Sequence, residues 1–158
     1  MAESFEHAIV IDAPMGLIWD MTNDVESWPD LFLGYADVEI LERRGATTVV
    51  RLTREPLPDG TVQQWTSERT ADPVARTVRT RRLDPAPYMF FHLLWTYRAM
   101  PSGVELRCRA EYAFPPGATA ADVAATAAID RRGHQQMFVL RDRIEARARS
   151  AAAAAERP

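Results

Sequence analysis

Apolar and polar residues alternate with a period of two through most of this chain, the rhythm of strands that bury one face. Helical spacing appears only near the start and toward the end. Ser4 to Asp12 alternates and finishes in the apolar run Ala8-Ile9-Val10-Ile11, which predicts a first strand. Pro14 then opens a helix, since its missing N–H has no partner to lose in a first turn, and Leu17, Ile18 and Met21 give that helix an apolar face. A short broken helix is predicted over Ser27 to Phe32. Six more strands follow, at Tyr35 to Glu42, Thr47 to Arg54, Val62 to Thr70, Ala75 to Leu83, Met89 to Met100 and Val104 to Phe114. Asp59-Gly60, Asp72-Pro73, Asp84-Pro85 and Ser102-Gly103 suit the reversals between them.

Pro115-Pro116-Gly117 ends the run of strands, and Thr119 with Asp122 three residues on resembles a capping box at the start of a long helix. Val123, Ala127, Gly133, Met137, Leu140 and Ile144 recur at spacings compatible with one face of that helix. Such a face must cover something apolar. The expected class is therefore α+β: a seven-stranded antiparallel sheet curved around the long C-terminal helix, two short helices after the first strand, and a cavity between helix and sheet. Residues 1–150 are expected to form one domain, and the alanine-rich tail 151–158 to fray because it has little to bury.

Composition narrows the function classes. A chain of 158 residues can bury roughly two thirds of its unfolded surface around one core. A net charge of −3 lacks the electropositive excess that binding to nucleic acid or an anionic membrane draws on, so neither partner is expected. Cys108 is the single cysteine, which excludes an intramolecular disulfide and a cysteine-based metal site. Met1 to Val10 carries Glu3 and Glu6 and has no apolar core of a signal peptide, and no stretch of about 18 apolar residues occurs, so a cytoplasmic location is expected.

The densest chemistry lies in Gln64-Trp65-Thr66-Ser67-Glu68-Arg69, where alternation places Trp65, Ser67 and Arg69 on one face. That face is either solvated, with Arg69 stacked on Trp65, or turned inward. If inward, Arg69 offers a permanent charge and five donors to an enolate or carbonyl oxygen. Trp28, Phe32, Tyr35, Phe91 and Trp95 are candidate walls for such a pocket, although any one such aromatic is more often simple core and only their convergence would signal a site. His7, His92 and His134 show no metal-ligand spacing, and no phosphate loop, nucleophile elbow or dinucleotide fingerprint is present. Glu105, Arg107, Arg109 and Glu111 alternate in sign along one face and read as solvated surface. Arg79, Arg81 and Arg82 form a basic patch suited to an acidic partner, with Arg82 pointing the opposite way, toward the cavity.

Asp12-Ala13-Pro14, Trp19-Asp20-Met21-Thr22-Asn23-Asp24, Trp28-Pro29-Asp30-Leu31-Phe32, Tyr35-Ala36 and Trp65-Thr66-Ser67-Glu68-Arg69 together resemble the single-domain aromatase/cyclases of bacterial type II polyketide synthases. Arg76-Thr77-Val78-Arg79 and Leu94-Trp95-Thr96-Tyr97-Arg98 extend the resemblance to about Arg149. It implies a helix-grip fold of the START and Bet v 1 type, no metal or cofactor, and action on a poly-β-ketone carried by an acyl carrier protein, with a ketosynthase/chain-length-factor complex as a further partner. Residue by residue it implies Arg69 and Tyr35 as catalytic, with Trp28, Trp65, Ser67, Arg82 and Trp95 at the substrate, and the candidate wall residues Phe32 and Phe91 and the helix residue Gln136 are expected to join them there. First-ring closure between carbons nine and fourteen is expected, with seven to twelve as the rival. Gly34, Cys108 and Gln136 depart from the family pattern, which bears on cavity length. The competing class is a non-catalytic carrier of hydrophobic ligands, since the same fold serves both.

Overall fold

The computed structural model describes residues 2–157; Met1 and Pro158, the outermost residues of the expected domain and tail, lie outside the described residues. Strand β1 (Glu3–Ile11) leads into α1 (Met15–Asn23), a single turn of 3₁₀ helix (Val25–Ser27) and α2 (Trp28–Leu31). Strands β2 (Tyr35–Arg44), β3 (Thr47–Arg54), β4 (Gln64–Asp72), β5 (Thr77–Arg82), β6 (Phe90–Met100) and β7 (Gly103–Ala113) follow, and α3 (Ala120–Ala155) closes the chain. All strand pairs are antiparallel, in the spatial order β1-β7-β6-β5-β4-β3-β2. This is the seven-stranded sheet with a long terminal helix that the alternation predicts. Among the described residues, no helix is long and apolar enough to cross a membrane.

Two register shifts in β2, between Tyr35 and Asp37 and between Ile40 and Glu42, bend that edge strand, the effect a bulge has on a ladder. Next to the other edge strand, Gly103 opens β7 with φ of 139°, and a side chain there would collide with the Ile11 carbonyl oxygen, so only glycine lets β7 start this close to the end of β1. The capping box forms as predicted: Asp122 N–H donates to Thr119 Oγ1 at 3.2 Å, and Thr119 N–H donates to Asp122 Oδ2 at 2.8 Å.

The buried face of α3 differs from the predicted one in its first half. Met137, Leu140 and Ile144 pack into the main core with Ile11, Ile18, Val78, Tyr97 and Leu106. Val123 and Ala127, however, point to solvent, and Thr126 is buried instead, its hydroxyl 2.8 Å from the Tyr88 phenol. In an alanine-rich segment apolar spacing does not define a face, and the buried hydroxyl of Thr126, partnered by Tyr88, marks the inward side. Helical structure continues through Ala155, with residues 151–155 exposed, in the stretch where fraying was expected.

Candidate functional site

The inward face of the sheet, α2 and the first half of α3 enclose a cavity of about 140 Å³. Its wall is drawn from one end of the sheet, where β2, β4 and β6 begin and β3 and β5 end. Antiparallel pairing assembles it row by row: Tyr35 opposite Arg54, Leu52 opposite Trp65, Ser67 opposite Arg82, and Trp95 opposite Cys108, which in turn lies opposite His7. Nine of the ten site residues predicted from sequence stand in this wall: Trp28, Phe32, Tyr35, Trp65, Ser67, Arg82, Phe91, Trp95 and Gln136. A groove of about 350 Å³ on the convex face is roomier, but ion-paired side chains, Arg81 with Glu68 and Arg109 with Glu111, border it.

Arg69 is inward but not in the wall. Of the two readings of its strand face, burial selects the inward one: Trp65, Ser67 and Arg69 are buried, Arg69 to 7% exposure. Toward the far end of β4, α1 and α2 lie across the sheet, and the Trp28 indole covers Arg69, its ring centre 5.1 Å from the guanidinium carbon. Arg69 therefore forms the floor beneath Trp28, which corrects the expectation of direct exposure to the cavity. It donates to Asn23 Oδ1 at 3.1 Å, while its Nε–H is buried without a partner. No carboxylate among the described residues pairs with it. Burial pushes the guanidinium down to about 10, partly offset by the Tyr97 phenol, so it remains charged at neutral pH.

Burial also raises the Tyr35 phenol, against the pull of the Arg54, Arg82 and Arg132 charges, so this hydroxyl is a donor rather than a phenolate under ordinary conditions. The Arg82 guanidinium carbon lies 4.7 Å from the ring centres of both Trp65 and Phe91. Gln136 borders the cavity, yet its amide is committed elsewhere: it accepts from Leu33 N–H at 2.8 Å and donates to Leu33 C=O at 3.2 Å, fixing the loop that delivers Tyr35.

Sequence reasoning missed Arg54, Arg132 and His7. Arg54 sits 5.5 Å from the Tyr35 ring centre and 5.2 Å from that of Trp65. Its place was readable, because Val50, Leu52 and Arg54 share one strand face as Trp65, Ser67 and Arg69 do. Arg132 lies one turn before Gln136 on α3. The histidines are less scattered than their spacing suggests. His7 and His134 ring centres are 5.4 Å apart, and His7 Nε2 lies 2.7 Å from Asp130 Oδ1 but outside hydrogen-bond geometry. Gly133 makes room for this packing, since a side chain there would come within 3.3 Å of the imidazole. Among the described residues, no three His, Cys, Asp or Glu side chains group as metal ligands.

The sequence family described as polyketide cyclase / dehydrase and lipid transport matches residues 11–137. A Streptomyces cyaneus relative that bears a polyketide-cyclase name is 42% identical over 92% of this chain and 95% of its own length. The actinorhodin polyketide synthase bifunctional cyclase/dehydratase of Streptomyces coelicolor is 31% identical over 63% of this chain and 31% of its own. Among solved structures, the Zhui aromatase/cyclase from Streptomyces sp. R1128 superposes with a TM-score of 0.83 at 25% identity, over 96% of this chain and 98% of that one. A START superfamily protein from Mycobacterium smegmatis, at TM-score 0.66 and 12% identity over 94% of this chain and 98% of its own, shares the fold. With its helix-grip architecture and this match over most of its length, the chain belongs to the polyketide cyclase / dehydrase and lipid transport family.

Proposed function

We propose that this protein is a cofactor-independent aromatase/cyclase that closes and aromatises the first ring of a poly-β-ketone borne on an acyl carrier protein of a type II polyketide synthase. The observation that carries the reading is a cavity with aromatic walls whose cations have no carboxylate partners: Arg54, Arg82 and Arg132 in the wall and Arg69 under the floor. A buried unpaired charge is costly to keep. A carrier of neutral lipids would gain nothing from it, whereas a developing enolate or alkoxide needs it.

Aldol closure removes a proton from an acidic methylene, the resulting carbanion attacks a carbonyl carbon, and the alkoxide formed takes up a proton. Loss of that hydroxyl as water, followed by enolisation, gives the aromatic ring. Redox and metal chemistry have no part in this balance. The cavity selects which methylene meets which carbonyl, so proximity decides the ring. Tyr35 donates a proton or hydrogen bond to the carbonyl oxygen, while Arg82, stacked on Trp65 and Phe91, holds the same oxygen from the side.

Arg69 acts through Trp28. For an oxygen on the far face of that indole, at roughly 8 to 9 Å, a full charge contributes about 2 kcal/mol at an effective dielectric near 20. That is a worthwhile share of a barrier and needs no side chain to move. The favoured closure is between carbons nine and fourteen, with seven to twelve as the alternative; the actinorhodin relative, named a cyclase/dehydratase, supports the pairing of ring closure with loss of water. The ketosynthase/chain-length-factor complex is the second partner of the scheme. The test is reconstitution of a minimal synthase with and without this protein. One defined aromatic first ring is expected, and an unchanged mixture of shunt products would end the cyclase reading.

A further inference from the structure

The three wall arginines converge on one place. Arg54 ends β3, Arg82 ends β5 and Arg132 lies in the first half of α3, so all three border the same end of the cavity. Arg54 and Arg82 contact the Trp65 ring at 5.2 and 4.7 Å, and Arg54 also reaches the Tyr35 ring. Each is half-buried. None pairs with a carboxylate among the described residues, and the cavity wall contains no Asp or Glu at all. Asp84 is the acid whose charge bears on Arg82, and its carboxylate accepts the Thr66 N–H at 2.9 Å. Burial depresses both Arg54 and Arg82, and Arg132 adds repulsion at Arg54.

Mutually repelling cations that lack counter-charges fit an anion supplied by the ligand, and guanidinium forks match phosphate oxygens in pairs. The anion must also belong to a long chain. At about 140 Å³ the cavity has room for a ring-forming segment, not for a whole carrier-linked substrate, so the attached arm must leave it, and the half-buried Arg54, Arg82 and Arg132 are wall residues that reach solvent. We infer that Arg54, Arg82 and Arg132 form a phosphate site that grips the phosphodiester of a pantetheine arm while the chain it carries enters the cavity. This rests on the carrier-bound substrate of the proposed function and adds to it where the arm is anchored. Arg54 and Arg132 do the gripping, and Arg82 serves both phosphate and substrate.

The test titrates the full chain with 4′-phosphopantetheine, pantetheine and inorganic phosphate, following tryptophan fluorescence, since two of the arginines contact the Trp65 ring. Phosphopantetheine is expected to bind at least tenfold more tightly than pantetheine at low salt, with the advantage shrinking as salt rises. R54Q/R132Q is expected to erase that advantage while melting no lower than wild type and keeping its affinity for pantetheine. Equal affinity for the two pantetheines, or a preference that survives in R54Q/R132Q, would overturn the assignment. Inorganic phosphate binding as tightly as phosphopantetheine would also overturn it, by showing a plain phosphate site with no role for the arm. Should the double variant unfold, R54Q and R132Q singly provide the same reading. If phosphopantetheine is preferred while reconstitution yields only shunt products, the phosphate site stands and the cyclase reading alone falls.

Discussion

Arg81 and Arg82 are neighbours on β5 and meet opposite fates. Arg81 faces outward, where its Nε–H donates to Glu68 at 2.9 Å, and Glu68 also receives Arg44 at 3.2 Å. Arg82 faces inward onto Trp65 and Phe91 with no acid in ion-pair range among the described residues. The contrast extends across the whole sheet. On the convex side Glu105 bridges Arg98 and Arg107, Arg107 also pairs with Glu6, and Arg109 pairs with Glu111, so charges cancel locally. On the concave side the arginines are left unbalanced. Paired surface charges contribute little to stability and keep the sheet soluble. Unpaired inward charges cost stability, and in the proposed function what offsets the cost is the charge a reacting ligand brings.

The contrast breaks most visibly at Arg69. R69M removes the floor charge while keeping an apolar stem under Trp28, and about 2 kcal/mol of lost stabilisation corresponds to roughly a thirtyfold drop in directed ring closure. The same variant is expected to melt a few degrees higher than wild type, because a desolvated charge is exchanged for packing. A variant that is more stable yet loses product control separates function from folding.

The pH dependence of that stability gap sharpens the point. Arg69 sits at about 10 in the folded protein, well below the ordinary range of a guanidinium, so the folded state binds this proton less tightly than the unfolded one. Its cost to folding is complete below about 10 and is relieved as pH rises above that value. The advantage of R69M over wild type in denaturant unfolding should therefore narrow as pH climbs above 10. A gap that stays constant through pH 11 would mean that the guanidinium is not desolvated.

A smaller effect is expected at Gln136, whose two hydrogen bonds tie α3 to the Leu33 backbone. Q136A should lower stability by about 1 to 2 kcal/mol and loosen product control only partly, through the Tyr35 loop. The smallest effect belongs to the convex side: R81A should change stability by less than about 1 kcal/mol and leave the product pattern alone. A large catalytic loss in R81A would move the working surface to the outside of the sheet.

Much of this arrangement was legible in the order of residues. Alternation placed β3 at Thr47–Arg54 without error and turned Arg82 away from Arg81, because period-two geometry leaves no other choice. The inward turn of Arg69 was not decidable from alternation, since a strand has two faces and only the packing of α1 and α2 against one of them breaks the tie. Trp28 lying over Arg69 comes from that same tertiary packing and has no local signature. The rotation of α3 was misjudged at Val123 and Ala127 because alanines carry little hydrophobic contrast, whereas Met137, Leu140 and Ile144 were read correctly. Arg54 and His7 were within reach of the rule that found Arg69, had the inward faces of β3 and β1 been followed to their ends.

The most direct test of the central claim, that unpaired inward cations direct ring closure, is to supply wild type and R69M separately to a minimal polyketide synthase and identify products by mass spectrometry and NMR. Wild type should yield one defined aromatic first ring, and R69M, folded and at least as stable, should return mostly spontaneous shunt products. If R69M directs the same ring as efficiently as wild type, the buried charge has no part in the chemistry and the account is wrong.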